Sequence, residues 1–137
     1  MVQLLLPAFS TLELNVTFYR FPRLSVLQGW YDKSPADFRF AVKVYRGITH
    51  FKKFNDTTDL VTRFYEVVND GLREKLGPVL FQMPPNFVYS DERLERVLNS
   101  LDPSFINVFE PTCRPAGRLG TRRRILYVKF PNFRRRT

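Results

Sequence analysis

The sequence predicts an α/β fold, about half of a (β/α)8 barrel followed by a basic tail, on three observations. Strand-like and helix-like segments alternate as β-α-β-α-β-α-β between Thr11 and Glu110, which implies parallel strands joined by right-handed helical crossovers. Each strand carries polar residues on one face. A barrel lumen houses such a row more readily than a doubly wound sheet covered by helices on both faces. A complete barrel needs about 250 residues, whereas this chain has 137 and four strand-like segments before its tail.

The elements follow in order. Thr11–Tyr19 alternates apolar and polar residues and reads as a strand. Leu12, Leu14, Val16 and Phe18 share one face; Glu13, Asn15, Thr17 and Tyr19 share the other. Ser25–Ser34 reads as a short helix with Ser25 as N-cap and Pro35 beyond its end. Phe38–Tyr45 is rich in aromatic and β-branched residues and reads as the second strand. Thr58–Leu76 has apolar residues at helical spacing and is expected to stop at Gly77-Pro78. Val79–Met83 is the third strand, closed by Pro84-Pro85. Ser90 opens an amphipathic helix on Leu94, Val97, Leu98 and Leu101, and Phe105–Glu110 is the fourth strand.

Charge divides the chain at one point. All thirteen acidic residues lie between Glu13 and Glu110, where thirteen Lys and Arg balance them. Residues 111–137 add nine Lys and Arg with no acid, and so carry the whole net charge of +9. The basic tail makes nucleic-acid binding an alternative function, through Arg122, Arg123, Arg124, Arg134, Arg135 and Arg136; a nonfunctional fragment is the other alternative. The single cysteine, Cys113, forms no internal disulfide, and no apolar run approaches the ~20 residues of a membrane span. A cytoplasmic protein without a membrane partner is expected. No P-loop, GxGxxG, nucleophile elbow or cysteine cluster is present, and no cofactor is implied.

Four motifs, ELNVTFYRFP (13–22), FRFAVKVYRGITH (38–50), LGPVLFQMPPNF (76–87) and VFE (108–110), resemble the domain of unknown function 72 family, the YecE-like proteins. The resemblance covers about residues 8–110 and implies a TIM-like barrel; it implies no activity, because the family's own is unassigned. The family's opening Gly-Thr-Ser-Gly-Trp segment is absent, and Pro111-Thr112-Cys113-Arg114-Pro115 replaces its Arg-His-Pro-type continuation after Glu110. Composition changes at the same place. Residues 1–110 are therefore expected to be a partial barrel, and 111–137 an irregular basic tail of a truncated or frame-shifted member. A genuine basic extension is the alternative.

Glu13 and Lys43 form the sharpest candidate pair, on adjacent strands and the same face, where a carboxylate and an ammonium suit general acid–base chemistry. A plain ion pair that sets strand register fits them equally well. His50, the only histidine, follows the second strand, at the end where barrel enzymes place catalytic groups; a surface or capping role is the alternative. Asn15, Thr17, Tyr19, Gln82 and Glu110 supply donors and acceptors that suit a small polar or phosphorylated ligand. Arg46 alone reads as a solvated arginine. A metal would require Glu13, His50 and Glu110 to converge, and no ligand spacing supports that. Half a barrel leaves open strand edges and apolar lumen residues, so a homo-oligomer is expected.

Overall fold

The computed structural model describes residues 11–88 and 90–110, together with the backbone of 126–128. Its order is β1 (Thr11–Leu14), α1 (Val16–Tyr19), α2 (Leu24–Lys33), β2 (Arg39–Lys43), α3 (Thr58–Leu72), β3 (Leu76–Gln82), α4 (Asp91–Ser100), β4 (Asn107–Glu110) and β5 (Leu126–Val128). A wide turn, Gly47–Phe51, follows β2, and a 3-10 turn, Arg73–Lys75, follows α3. The sheet runs β1-β2-β3-β4-β5. β1 to β4 are parallel, as the alternation predicts, and β5 pairs antiparallel to β4. The other residues of 111–137, among them Cys113 and the six tail arginines, lie outside the described residues.

The helices pack on one face of the sheet. Phe40, Val42, Val79, Phe81 and Phe109 point from the strands into a core completed by Leu27, Phe64, Val68, Leu72 and Val97 of the helices. Alternation along each strand sends Lys43, Leu80, Gln82 and Val108, all half-buried, to the opposite, concave face. Inside the core the Tyr65 hydroxyl donates to Asn107 Oδ1 at 2.6 Å, and Asn107 Nδ2 donates to the Asp102 carbonyl at 2.7 Å. The buried amide thus has partners at both ends, which offsets its desolvation. Burial pushes the Tyr65 phenol well above its ordinary pKa, so it acts as a neutral donor.

Three boundaries differ from the sequence expectation, each for a local reason. The chain leaves the sheet after Leu14 instead of continuing to Tyr19, because the buried Thr17 hydroxyl lies 2.9 Å from the Leu14 carbonyl and 2.7 Å from that of Lys43. A threonine hydroxyl that competes for backbone acceptors ends a strand in this way. α2 starts at Leu24 with Arg23 at its N-cap, so Ser25 lies within the helix and caps nothing.

α3 stops at Arg73, which has φ 51°, and Gly77-Pro78 sits inside β3. There Phe40 pairs with Leu76 but Val42 with Val79, so Gly77 and Pro78 together oppose Ala41 as a bulge. Proline has no N–H to give the ladder, and a Cβ on Gly77 would lie 3.0 Å from the Phe40 carbonyl. Ser90 does cap α4, accepting from the Arg93 amide at 3.2 Å.

One anchor was not legible in the sequence. Lys75 is buried, and its ammonium donates to the Tyr31 carbonyl at 2.7 Å and the Ser34 carbonyl at 2.8 Å. A cation on the orphan carbonyls of a helix end is favourable on both hydrogen-bond and dipole grounds. It ties the end of α2 to the start of β3.

α2 and α3 cross where Gly71 meets Leu27. A Cβ built at Gly71 would lie 2.4 Å from Leu27 Cβ. Alanine in a helix interior gains about 1 kcal/mol of propensity over glycine, whereas overpacking costs about 1–3 kcal/mol. Gly71→Ala is therefore expected to lower the stability measured by urea unfolding, against the helix scale. An unchanged or higher midpoint would show that the two helices separate freely.

Candidate functional site

The ends of β1 and β2 lie at one rim of the sheet because the two strands are parallel. α1 follows the first and the turn Gly47–Phe51 follows the second, and the Thr17–Lys43 hydrogen bond joins them. The turn is wide: the Lys52 amide donates five residues back, to the Gly47 carbonyl, at 3.0 Å. Single wide turns of this type recur at functional sites. Position 47 has no room for a side chain, since a Cβ there would lie 2.3 Å from Tyr45 Cε1.

These two turns bring three basic groups to the rim around a few aromatic rings. Lys43 Nζ lies 4.7 Å from the centroid of Phe18, and the His50 ring meets the same Phe18 edge-on at 4.9 Å. The Arg46 guanidinium stands 5.4 Å from the Tyr19 ring and 5.2 Å from that of Phe51. Tyr19 and Phe51 are 59% and 67% exposed, so these two rings flank Arg46 at the protein surface. Cation–π contacts of this kind hold a basic side chain in place without neutralising it.

Among the described residues, none of the three basic groups is seen in an ion pair with a carboxylate; the pair seen within 4.0 Å is Arg96–Glu92, on α4. Arg46 Nε is buried and has no hydrogen-bond partner; leaving such a group unmade costs about 1–3 kcal/mol. The His50 imidazole is held below its ordinary pKa, first by burial and then by the charges of Lys43 and Arg46. Its Nδ1 lies 2.8 Å from the buried Thr49 hydroxyl, which donates or accepts according to the tautomer.

The structure places the residues singled out in the sequence as follows. Glu13 is level with Ala41, one layer below Lys43, and shares the concave face with it. Glu13 is exposed and makes no ion pair with Lys43. Leu80 and Val108 are level with Lys43, and Gln82 and Glu110 are paired one layer higher, near the rim. Glu110 is 8% exposed.

Asn15, Thr17 and Tyr19 leave the strand face. Thr17 is committed to backbone carbonyls, so its hydroxyl is a positioning group and not a free ligand donor. Asn15 is exposed at the start of α1, and Tyr19 contributes its ring beside Arg46. Among the described residues no three His, Cys, Asp or Glu side chains form a group that could hold a metal, so Glu13, His50 and Glu110 do not converge. The six tail arginines lie outside the described residues.

Residue type and strand pattern alone do not single out Arg46 and Phe18. Read as a strand, the first motif aims Phe18 at the core, and Arg46 alone resembles any solvated arginine. A signal was present: Lys43, Arg46 and His50 are spaced three and four residues apart, the spacing of one face of a helical turn.

Comparison with known proteins places this architecture. The sequence model of the family described as "Protein of unknown function DUF72" matches residues 3–112. The UPF0759 protein YecE of Escherichia coli K12 is 32% identical over 79 residues, which cover 58% of this chain and 29% of YecE. The UPF0759 protein YunF of Bacillus subtilis is 31% identical over 84 residues, covering 58% of this chain and 30% of YunF. The chain thus spans about three-tenths of the length of these relatives. Among solved structures, a DUF72 family protein of Enterococcus faecalis superposes with a TM-score of 0.62 at 21% identity, over 72% of this chain and 41% of that one. A DUF72 family protein of Thermotoga maritima superposes with a TM-score of 0.58 at 28% identity, over 74% and 42%. These likenesses support the partial α/β barrel.

The His50 environment generates a prediction with a definite sign. Its folded pKa lies below the unfolded value of about 6.5, so the unfolded chain binds more protons as pH falls. Stability contributed by the neutral ring is present above about pH 6.5 and is lost progressively as pH falls towards the folded pKa. His50→Gln is expected to flatten the stability-versus-pH profile between about pH 7 and 5, measured by urea unfolding. A slope identical to that of the parent chain would assign the pH dependence to other groups.

Proposed function

The chain belongs to the DUF72 family, and from that premise we propose that its rim, built on Lys43, Arg46 and His50, binds the anionic group of a small phosphorylated ligand. One observation carries the reading. Three basic groups converge with no ion pair to a carboxylate seen among the described residues, and one of them keeps a buried N–H without a partner. Such an arrangement costs folding free energy unless an anion offsets it. The rim also lies at the carboxyl ends of parallel strands, where barrels bind their ligands.

Each residue has a role in this reading. Arg46, flanked by Tyr19 and Phe51, presents its planar fork to phosphate oxygens. Lys43 adds a point charge from below. His50 takes up a proton as the anion arrives, because the negative charge offsets the burial and the cations that hold it neutral. Gln82 and Glu110, near the rim on the next strands, hold the hydroxyl-bearing remainder of the ligand. Glu13 and His50 are the groups placed to move a proton if the ligand is turned over. No described helix is long and apolar enough to cross a membrane, and we place the ligand in the cytoplasm.

Sulfate is the probe of choice, since it stays dianionic across the pH range in which His50 titrates. Backbone amide shifts are expected to move at residues 43–51 on titration, with tighter binding at pH 6 than at pH 8. Arg46→Met and Lys43→Met should each weaken binding at least about tenfold, since a hydrogen bond to a charged group contributes about 1.5–3 kcal/mol. Shifts confined to other parts of the chain, or binding indifferent to both substitutions, would overturn the assignment.

A further inference from the structure

The rim carries more aromatic surface than an anion needs. Tyr19 and Phe51 are both exposed, and both stand beside Arg46. A single exposed ring is ordinary on a protein surface. Two of them around one guanidinium put flat apolar surface next to a cation that has no ion pair among the described residues.

Phe51 is held out in solvent by a turn that is itself well anchored. The Lys52 amide donates to the Gly47 carbonyl and the Phe54 amide to the Ile48 carbonyl, each at 3.0 Å. Phe54 is buried, with its ring 5.9 Å from that of Phe81 in the core. To reach that position the backbone takes φ 47° at Lys53 and φ 62° at Phe54, a conformation that is costly for residues other than glycine. Of two phenylalanines three residues apart, one therefore fixes the turn and the other is presented to water. Among the described residues the Phe51 ring lies 5.2 Å from the Arg46 guanidinium and stacks on no other ring.

We propose that the phosphorylated ligand of the rim is a nucleoside monophosphate, with its phosphate on Arg46 and Lys43 and its base stacked on the open surface of Phe51. The inference rests on the anion site proposed above and identifies the uncharged part of the same ligand. A sugar phosphate would use the cations but leave both rings in water; a base covers one of them. Stacked rings lie with their centroids about 4.5–7 Å apart, so a base on Phe51 and a phosphate on the neighbouring guanidinium are separated by about one sugar. That sugar supplies the hydroxyls for Gln82 and Glu110. Every base has a flat π-face, so the stack selects the class of ligand and not one particular base.

The test titrates the full chain with adenosine 5′-monophosphate and, separately, with ribose 5-phosphate, following the backbone amides of residues 43–51. The two compounds share the phosphate and the sugar, and one alone has a base. The nucleotide is expected to bind at least about fivefold more tightly, the low end of what one stacked base contributes, and to move the ring-proton signals of Phe51. Phe51→Leu, at an exposed position outside the core, should bring the ratio of the two affinities close to one. Arg46→Met should weaken both compounds alike. Failure of both compounds to shift residues 43–51 would remove the anion site and this inference with it. Equal affinities in the parent chain, or a preference for the nucleotide that survives Phe51→Leu, would overturn the base assignment alone and leave the anion site standing.

Discussion

Parallel pairing of β1 to β4 is the constraint on which the other features rest. Parallel strands deliver every strand end to the same rim and require a crossover between each pair. Here α2, α3 and α4 supply those crossovers on one face, so among the described residues no crossover helix lies on the opposite face. Register then decides which side chains meet: Lys43, Leu80 and Val108 stand level, with Gln82 and Glu110 one layer higher. Because side chains alternate strictly, a shift of one residue in any strand would move its polar group into the core. The buried Phe40, Val42, Val79 and Phe81 hold the register against that slip.

Two devices adapt the sheet to its rim. The Thr17 hydroxyl ends β1 early and turns α1 across the end of β2, which brings Phe18 between Lys43 and His50. Gly77 and Pro78 form a bulge opposite Ala41, and the paired register of Lys43 with Leu80 resumes beyond it. The resulting cluster is electrostatically one-sided. Aromatic rings offset part of the cost of crowding cations, but they satisfy no N–H, and Arg46 Nε is left without a partner. On the proposed reading, the anion completes that group.

Much of the fold was legible in the sequence. Period-two and helical spacing located the four parallel strands and the three longer helices, and the Ser90 cap followed from its residue type. The ends of elements were less legible, because each depends on a partner far away in the chain. Thr17 stops β1 through a carbonyl 26 residues later, and Lys75 caps a helix 44 residues earlier. The candidate site shows the same division. Lys43 and His50 were visible from residue type and position. Arg46 and Phe18 became significant only when α1 replaced the expected extension of the first strand. Asn15 and Thr17 were misplaced by the same missed turn.

The matched segment covers only about three-tenths of the relatives' length, so the rim described here is one sector of the opening such a barrel would have. The account's central claim is that this sector carries its own anion site. Crystals of the chain soaked in tungstate, whose heavy atom marks a phosphate-sized anion directly, test that claim most plainly. An anomalous peak within hydrogen-bond reach of Arg46 and Lys43, lost in Arg46→Met, is the predicted result. A map with no peak at that rim, or a peak there indifferent to Arg46, would contradict it.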